Sequence, residues 1–261
     1  MNLHTREEEN PVPEPGVPET PRSARTPLRT ETLRLRAVAR TNPGTRRPSG
    51  DGYLITEGLV AVADGVGASP PAASASAVAL GAVMAARGHP AEDARETLIR
   101  CVASANGMVR RASQRDPRLA GMATTLDVVL LDTDGREPLL RFAHVGNGAL
   151  WHWADGVAPR LLTTPHSAGD TLLRGIGLVA DVPPGLDQAQ VKPGDRFLLC
   201  TDGVTRELGD TGLAALLTEQ TGRTAEECAQ HVLDAAFMAG TRDDATVVVL
   251  EIVQSTVYPP A

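Results

Sequence analysis

Three acidic positions stand at the ends of apolar runs. Residues 60–67, VAVADGVG, break into Asp64-Gly65, residues 196–204, RFLLCTDGV, break into Asp202-Gly203, and residues 242–250, RDDATVVVL, open on the pair Asp243-Asp244. Carboxylates at strand ends can converge on a hard divalent cation, because Mg²⁺ and Mn²⁺ take carboxylate, carbonyl and water oxygens. A glycine after the acid leaves its own carbonyl free to turn toward such an ion, with no Cβ in the way. Asp-Gly is also a good turn former, and Asp134-Gly135 and Asp155-Gly156, lying between strand-like runs, read as hairpin turns.

A different chemistry sits in the same stretch. Cys200 and Arg206 have the C-x5-R spacing that places a thiolate and an arginine around one phosphate. That mechanism needs a low-pKa thiolate and loop amides free to cradle the anion. Here Asp202 falls inside the cradle and Glu207 follows the arginine, and both repel phosphate, so Cys200 is expected to be a core residue of a strand.

The elements that must position these groups follow from periodicity. Segments 33–39, 53–57 and 59–63 read as strands, the last two joined by a turn near Glu57-Gly58. A Pro-started, Ala-rich helix follows and ends at Gly88-His89-Pro90, and residues 91–115 carry apolar positions at helical spacing. TTLDVVLLD, PLLRFAHVG and ALWHWADG are three strand-like runs between turns, which predicts an antiparallel meander. Residues 165–185 read as loop, RFLLC as a strand, 211–219 and 224–239 as helices, and ATVVVLEIV as a closing strand. Helices inserted between strands in this order predict α+β layers.

Composition narrows the classes. Of 261 residues 42% are apolar, enough for a full core, but only 3% are aromatic and the formal net charge is −7, which argues against a nucleic-acid partner. Cys101, Cys200 and Cys228 are odd in number and lack CxxC spacing, so they read as reduced thiols of a cytoplasmic protein. No run reaches the ~18 apolar residues of a membrane span. Residues 1–30, rich in Pro, Glu and Thr, read as a disordered tail, 31–254 as one domain and 255–261 as a C-terminal tail. His152 between Trp151 and Trp153 is expected to point outward, Asp127 and Asp132 to face solvent or form turns, His144 and His166 to be structural, and Glu226 and Glu227 to begin an exposed helix.

VAVADGVG with its Ala/Ser-rich helix, GMATTLDVVLLD, FAHVGNGALW, LLTTPHS, KPGDRFLLCTDGVT and RDDATVVVLEI occur in an order that resembles the PPM, or PP2C-like, family of metal-dependent protein Ser/Thr phosphatases. The resemblance spans residues 33–253. It implies a β-sandwich of two antiparallel sheets flanked by helices, a four-layer αββα arrangement of the α+β class. It further implies two Mn²⁺ or Mg²⁺ ions, with Asp64 bridging them, the Gly65 carbonyl on one, and Asp202 and Asp243 on the other. In RRPSGD, residues 46–51, Arg46, with Arg47 as its equal neighbour, would bind the substrate phosphate and Asp51 would order metal-bound water. Water activated between the cations would attack the phosphoryl group directly.

Three departures accompany the match. The family's Asn and its acidic neighbour are Ser49 and Gly50 here, Asn147 replaces an acid tied to a third metal, and the flap segment is short. A neutral amide adds no charge, so the third metal site should be weak or absent. The eukaryotic members' histidine after the first Asp-Gly is Val66, which leaves metal-bound water as the expected proton donor. The implied partner is a phosphorylated protein in bacterial signalling, with a Ser/Thr kinase as a second candidate. The competing reading is a pseudophosphatase that binds a phosphoprotein or kinase without turnover, and the survival of Asp64, Asp202 and Asp243 argues against it.

Overall fold

The computed structural model describes residues 30–45, 48–67, 70–88, 93–169 and 171–257. The tail expected over 1–30 falls outside these residues except for Thr30, as do Arg46, Arg47 and 258–261.

In chain order β1 is Thr30–Asn42, β2 Asp51–Ile55, β3 Leu59–Val66, α1 Pro71–Ala86, α2 Ala94–Arg115, β4 Ala123–Thr124, β5 Leu126–Asp132, β6 Leu139–Val145, β7 Ala149–Ala154 and β8 Val157–Leu161. There follow β9 Ser167–Ala168, β10 Thr171–Leu172, β11 Gly185–Gln190, β12 Arg196–Cys200, α3 Asp202–Thr218, α4 Ala225–Met238 and β13 Ala245–Val257. The helix starts have local causes. Pro71 opens α1, where its missing N–H costs nothing, and the Asp93 carboxylate caps α2 by accepting from the Glu96 amide at 2.8 Å. Thr224 and Glu227 form a reciprocal capping box at α4, the exposed acidic helix start anticipated from sequence. Gly209, at φ +62°, breaks α3 into two pieces, and only the second had been expected.

Apart from a two-stranded β9-β10 ladder, the strands form two antiparallel sheets, ordered β1-β13-β12-β7-β8 and β11-β6-β5-β3-β2, with β4 paired to the end of β3. Strand alternation divides the apolar side chains among three layers. Leu59, Ala61 and Ala63 of β3 pack under α1 and α2, and Leu198 and Cys200 of β12 pack under α3 and α4. Val60, Val62, Phe197, Leu199, Val248 and Leu250 fill the space between the sheets. The fold is therefore the expected αββα sandwich.

Several local expectations need correction. The three central runs are no meander: β5 and β6 pair, but β7 crosses to the other sheet beside β12. The crossing occurs at Gly146-Asn147-Gly148, where Gly146 has φ +127° and a Cβ on Gly148 would strike the Asp127 carboxylate. With helices on one side and a second sheet on the other, central strands have no solvent face. Asp127 is consequently buried and paired with His144, Oδ1 to Nδ1 at 2.5 Å, and His152 points inward, its ring stacked on Phe197. The edge strands β8 and β11 were missed because their half-exposed sequences lack apolar alternation, and β13 runs to Val257, beyond the predicted end of the closing strand. Among the described residues no helix is long and apolar enough to cross a membrane.

Candidate functional site

The acidic residues meet at one end of the sandwich. Asp51 opens β2 directly opposite Asp64 near the end of β3. The Asp64 main chain is clamped from the neighbouring strands: its carbonyl accepts from the Thr125 amide at 2.8 Å and the Thr124 hydroxyl at 2.9 Å, and its amide donates to Thr125 Oγ1 at 3.0 Å. The Gly65 amide donates to the Gly50 carbonyl at 3.0 Å, and a Cβ on Gly65 would run into the Ala72 carbonyl of α1. Only glycine permits that approach, so helix α1 and the Asp64-Gly65 corner are locked together.

Asp202 occupies the first turn of α3, where the helix N-terminus favours a carboxylate. Asp243 lies just before β13, with its Oδ1 accepting from the Asp244 amide at 3.0 Å. Asp64, Gly65, Asn147, Asp202, Arg206 and Asp243 line a single cleft of about 250 Å³. Leu172 of β10 contributes to its wall, so the short segment read as loop supplies part of the site. The pair Asp243-Asp244 divides its labour: Asp243 faces the cleft, while the buried Asp244 accepts from the amides of Gly50 at 2.6 Å and Gly44 at 3.2 Å.

The electrostatics are those of a crowded set of acids. Burial, followed by the charges of Asp51 and Asp202, holds the Asp64 carboxyl well above the usual carboxylate range. Burial also pushes Asp51 up to about 6, against hydrogen bonds that include one from the Thr201 hydroxyl at 2.9 Å. Asp51 Oδ1 is buried and accepts no hydrogen bond from the described residues. Asp202 Oδ2 accepts from Asn147 Nδ2 at 2.8 Å and from Arg206 Nη2 at 2.6 Å, and Arg206 Nη1 is 3.5 Å from Asp243 Oδ2.

An all-oxygen donor set, mutually repelling carboxylates and an orphaned carboxylate oxygen fit hard divalent cations. Among the described residues no three His, Cys, Asp or Glu side chains are already drawn into a metal cage, and Arg206 pairs with both Asp202 and Asp243. Asp51, Asp64, Gly65, Asp202 and Asp243 are thus gathered at this end of the sandwich, whereas Arg46 lies outside the described residues. Arg206 had been noticed only as part of C-x5-R. Its place one helical turn after Asp202 was the available signal for its ion pair.

The cysteine reading fails on geometry. Cys200 is fully buried among the side chains of α3 and α4, and burial pushes its thiol far up, away from the thiolate such chemistry requires. His144 is structural, buried and paired with Asp127. His166 lies against it with its ring tilted by 36° at a centroid distance of 4.7 Å, and its Nδ1 accepts from the Gly146 amide at 3.3 Å.

Comparison with known proteins gives a consistent result. The family model described as Stage II sporulation protein E (SpoIIE) matches residues 57–253. The serine/threonine protein phosphatase PstP of Mycobacterium tuberculosis is 29% identical over 247 residues, covering 85% of this chain and 46% of the relative, so the chain spans about half the length of the curated relatives it matches. Among solved structures, the catalytic domain of PstP in complex with two manganese ions superposes with a TM-score of 0.73 at 27% identity, covering 85% of this chain and 100% of that one. The PPM phosphatase MsPP of Mycobacterium smegmatis, in complex with cacodylate, gives 0.70 at 27% identity, covering 83% and 97%. A second M. tuberculosis PstP structure gives 0.75 at 24% identity, covering 84% and 99%, a likeness of fold.

Proposed function

From the premise that the chain belongs to the SpoIIE family of PP2C-type domains, we propose that it hydrolyses phosphoserine and phosphothreonine in partner proteins, using water and two divalent cations. The observation that carries this reading is the convergence of Asp51, Asp64, Asp202 and Asp243 on one end of the sandwich. The manganese-loaded PstP domain, 27% identical, supports two ions in a site of this fold.

In this proposal Asp64, the Gly65 carbonyl, Asp202 and Asp243 would hold the two cations, and either Mn²⁺ or Mg²⁺ would suit these oxygen donors. When bound, the cations lower the pKa of water into the neutral range and neutralise charge on the phosphoryl oxygens. Asp51 orients the attacking water through its unpartnered Oδ1, held in place by the Thr201 hydroxyl, which in turn accepts from the Thr246 amide at 3.0 Å. Arg46 binds the substrate phosphate. Asn147 brings a neutral amide that is already donating to Asp202, so a third cation binds weakly or not at all. The substrate is a phosphorylated protein of bacterial signalling, the kinase that modifies it is a candidate partner, and the setting is the cytoplasm.

The test is hydrolysis of a phosphoserine peptide and an aryl phosphate with Mn²⁺, with Mg²⁺ and with a chelator, comparing wild type with Asp64→Asn. Metal-dependent turnover that disappears in the variant supports the assignment. A folded protein inert under every metal overturns it and favours the binding-only reading, for which the Arg206 ion pairs across Asp202 and Asp243 are the one structural argument.

A further inference from the structure

The cleft contains a cation of the protein's own. Arg206 lies one turn along α3 from Asp202, and its Nη2 donates to Asp202 Oδ2 at 2.6 Å while Nη1 reaches to 3.5 Å from Asp243 Oδ2. The two carboxylates are nearly enclosed, with side-chain exposures of 12% and 17%, whereas the arginine is 47% exposed. A planar fork with two donors suits paired carboxylate oxygens, and it supplies one positive charge where Asp64, Asp202 and Asp243 would otherwise repel one another.

We infer that Arg206 is a resident counter-ion that competes with a divalent cation for Asp202 and Asp243, so that loading of this side of the cleft requires the guanidinium to leave. The inference rests on the proposed role of those two carboxylates. The ion pair occupies Asp202 Oδ2, an oxygen of one of the carboxylates proposed to hold the cation, and the same oxygen also accepts from Asn147. A carboxylate oxygen engaged by two N–H donors has little capacity left for a cation. Arg206 also has somewhere to go. It borders a second cleft of about 440 Å³, lined further by Thr45, Glu207, Thr241, Arg242 and Asp243 itself, which gives its long half-exposed side chain open space away from Asp202. Competition of this kind sets the cation concentration at which the site fills and leaves the ligand set unchanged.

The experiment is calorimetric titration of Mn²⁺ into the full chain, as wild type, Arg206→Gln and Arg206→Lys, with melting curves recorded in chelator and in saturating Mn²⁺. Removing the guanidinium should tighten the weaker binding step roughly tenfold, about the worth of one charge-assisted hydrogen bond at a half-exposed site. Lysine, a point charge without the fork, should fall between. In chelator Arg206→Gln should melt below wild type, and the gap should close in Mn²⁺, a pattern that general misfolding cannot produce. Equal or weaker Mn²⁺ binding by Arg206→Gln overturns the competition while leaving the metal site standing. If neither wild type nor variant binds Mn²⁺, the proposed function falls, and this inference with it.

Discussion

Asp244→Ala probes the scaffold beneath the site more sharply than a change in the cleft itself. Asp244 is 2% exposed and accepts two backbone hydrogen bonds, from Gly50 at 2.6 Å and from Gly44 at 3.2 Å, which fasten the approach to Asp51 onto the start of β13. Alanine leaves both amides facing a void. A hydrogen bond to a charged acceptor contributes roughly 1.5–3 kcal/mol. The longer bond belongs at the low end, and removing a buried carboxylate recovers part of its desolvation cost, so the net loss is about 2–4 kcal/mol. For a domain of this size each kcal/mol moves the midpoint by roughly 2–4 °C, so the melting temperature should fall by about 10 °C. Asp244→Asn keeps one acceptor oxygen in place and should recover about half of that drop. The assay is thermal unfolding followed by circular dichroism, with peptide hydrolysis measured in parallel, because a loosened approach to Asp51 should lower turnover in step with stability. A midpoint shift of less than about 2 °C, roughly 1 kcal/mol or below, or an asparagine variant no better than alanine, would mean that the Asp244 hydrogen bonds do not hold this corner together.

Other outcomes follow from the same geometry. Cys200→Ser should leave hydrolysis unchanged and cost about 1–3 kcal/mol of stability in urea unfolding, because a hydroxyl replaces a thiol in an apolar layer; abolished turnover would revive the thiolate mechanism. Gly65→Ala should destabilise by about 1–3 kcal/mol and lower activity, since the added methyl meets the Ala72 carbonyl, and a neutral result would show that α1 yields freely. His166 has its pKa lowered from 6.5 to about 4, first by burial and then by the charges of His144 and Arg174. It therefore contributes stability that is complete above pH 6.5 and is lost as pH falls toward 4, so His166→Asn should flatten the fall in urea stability between pH 7 and pH 5, and an unchanged slope would count against this.

Much of the site was legible because its chemistry is carried by residues at strand ends. Asp64 and Asp202 each terminate an apolar run, and an apolar run that stops in Asp-Gly points its carboxylate out of the end of the sandwich. What residue type and spacing left open, and only the family resemblance assigned to Asp243, was the partition between neighbours. Asp243 and Asp244 are identical in type and adjacent, and only the packing of the Gly44 and Gly50 amides against one of them decides which faces the cleft. The same limit explains the meander: β5, β6 and β7 alternate alike, and the change of sheet is made by backbone freedom at Gly146 and close packing at Gly148, features without a periodic signal. Asp127 and His152 were turned outward because alternation implies one wet face, an inference that fails for a strand covered on both sides. The edge strand β11, GLDQAQ, has only one neighbouring strand and too little apolar character to announce itself.

Whether the carboxylates of Asp64, Asp202 and Asp243 share cations is decided by diffraction from Mn²⁺-soaked crystals at the manganese absorption edge. Two anomalous peaks are predicted, both in contact with Asp64, one also in contact with Asp202 and Asp243, with the Arg206 guanidinium displaced. Peaks elsewhere on the protein, or an unaltered Arg206 bridge with no anomalous signal between those carboxylates at saturating Mn²⁺, would contradict that sharing.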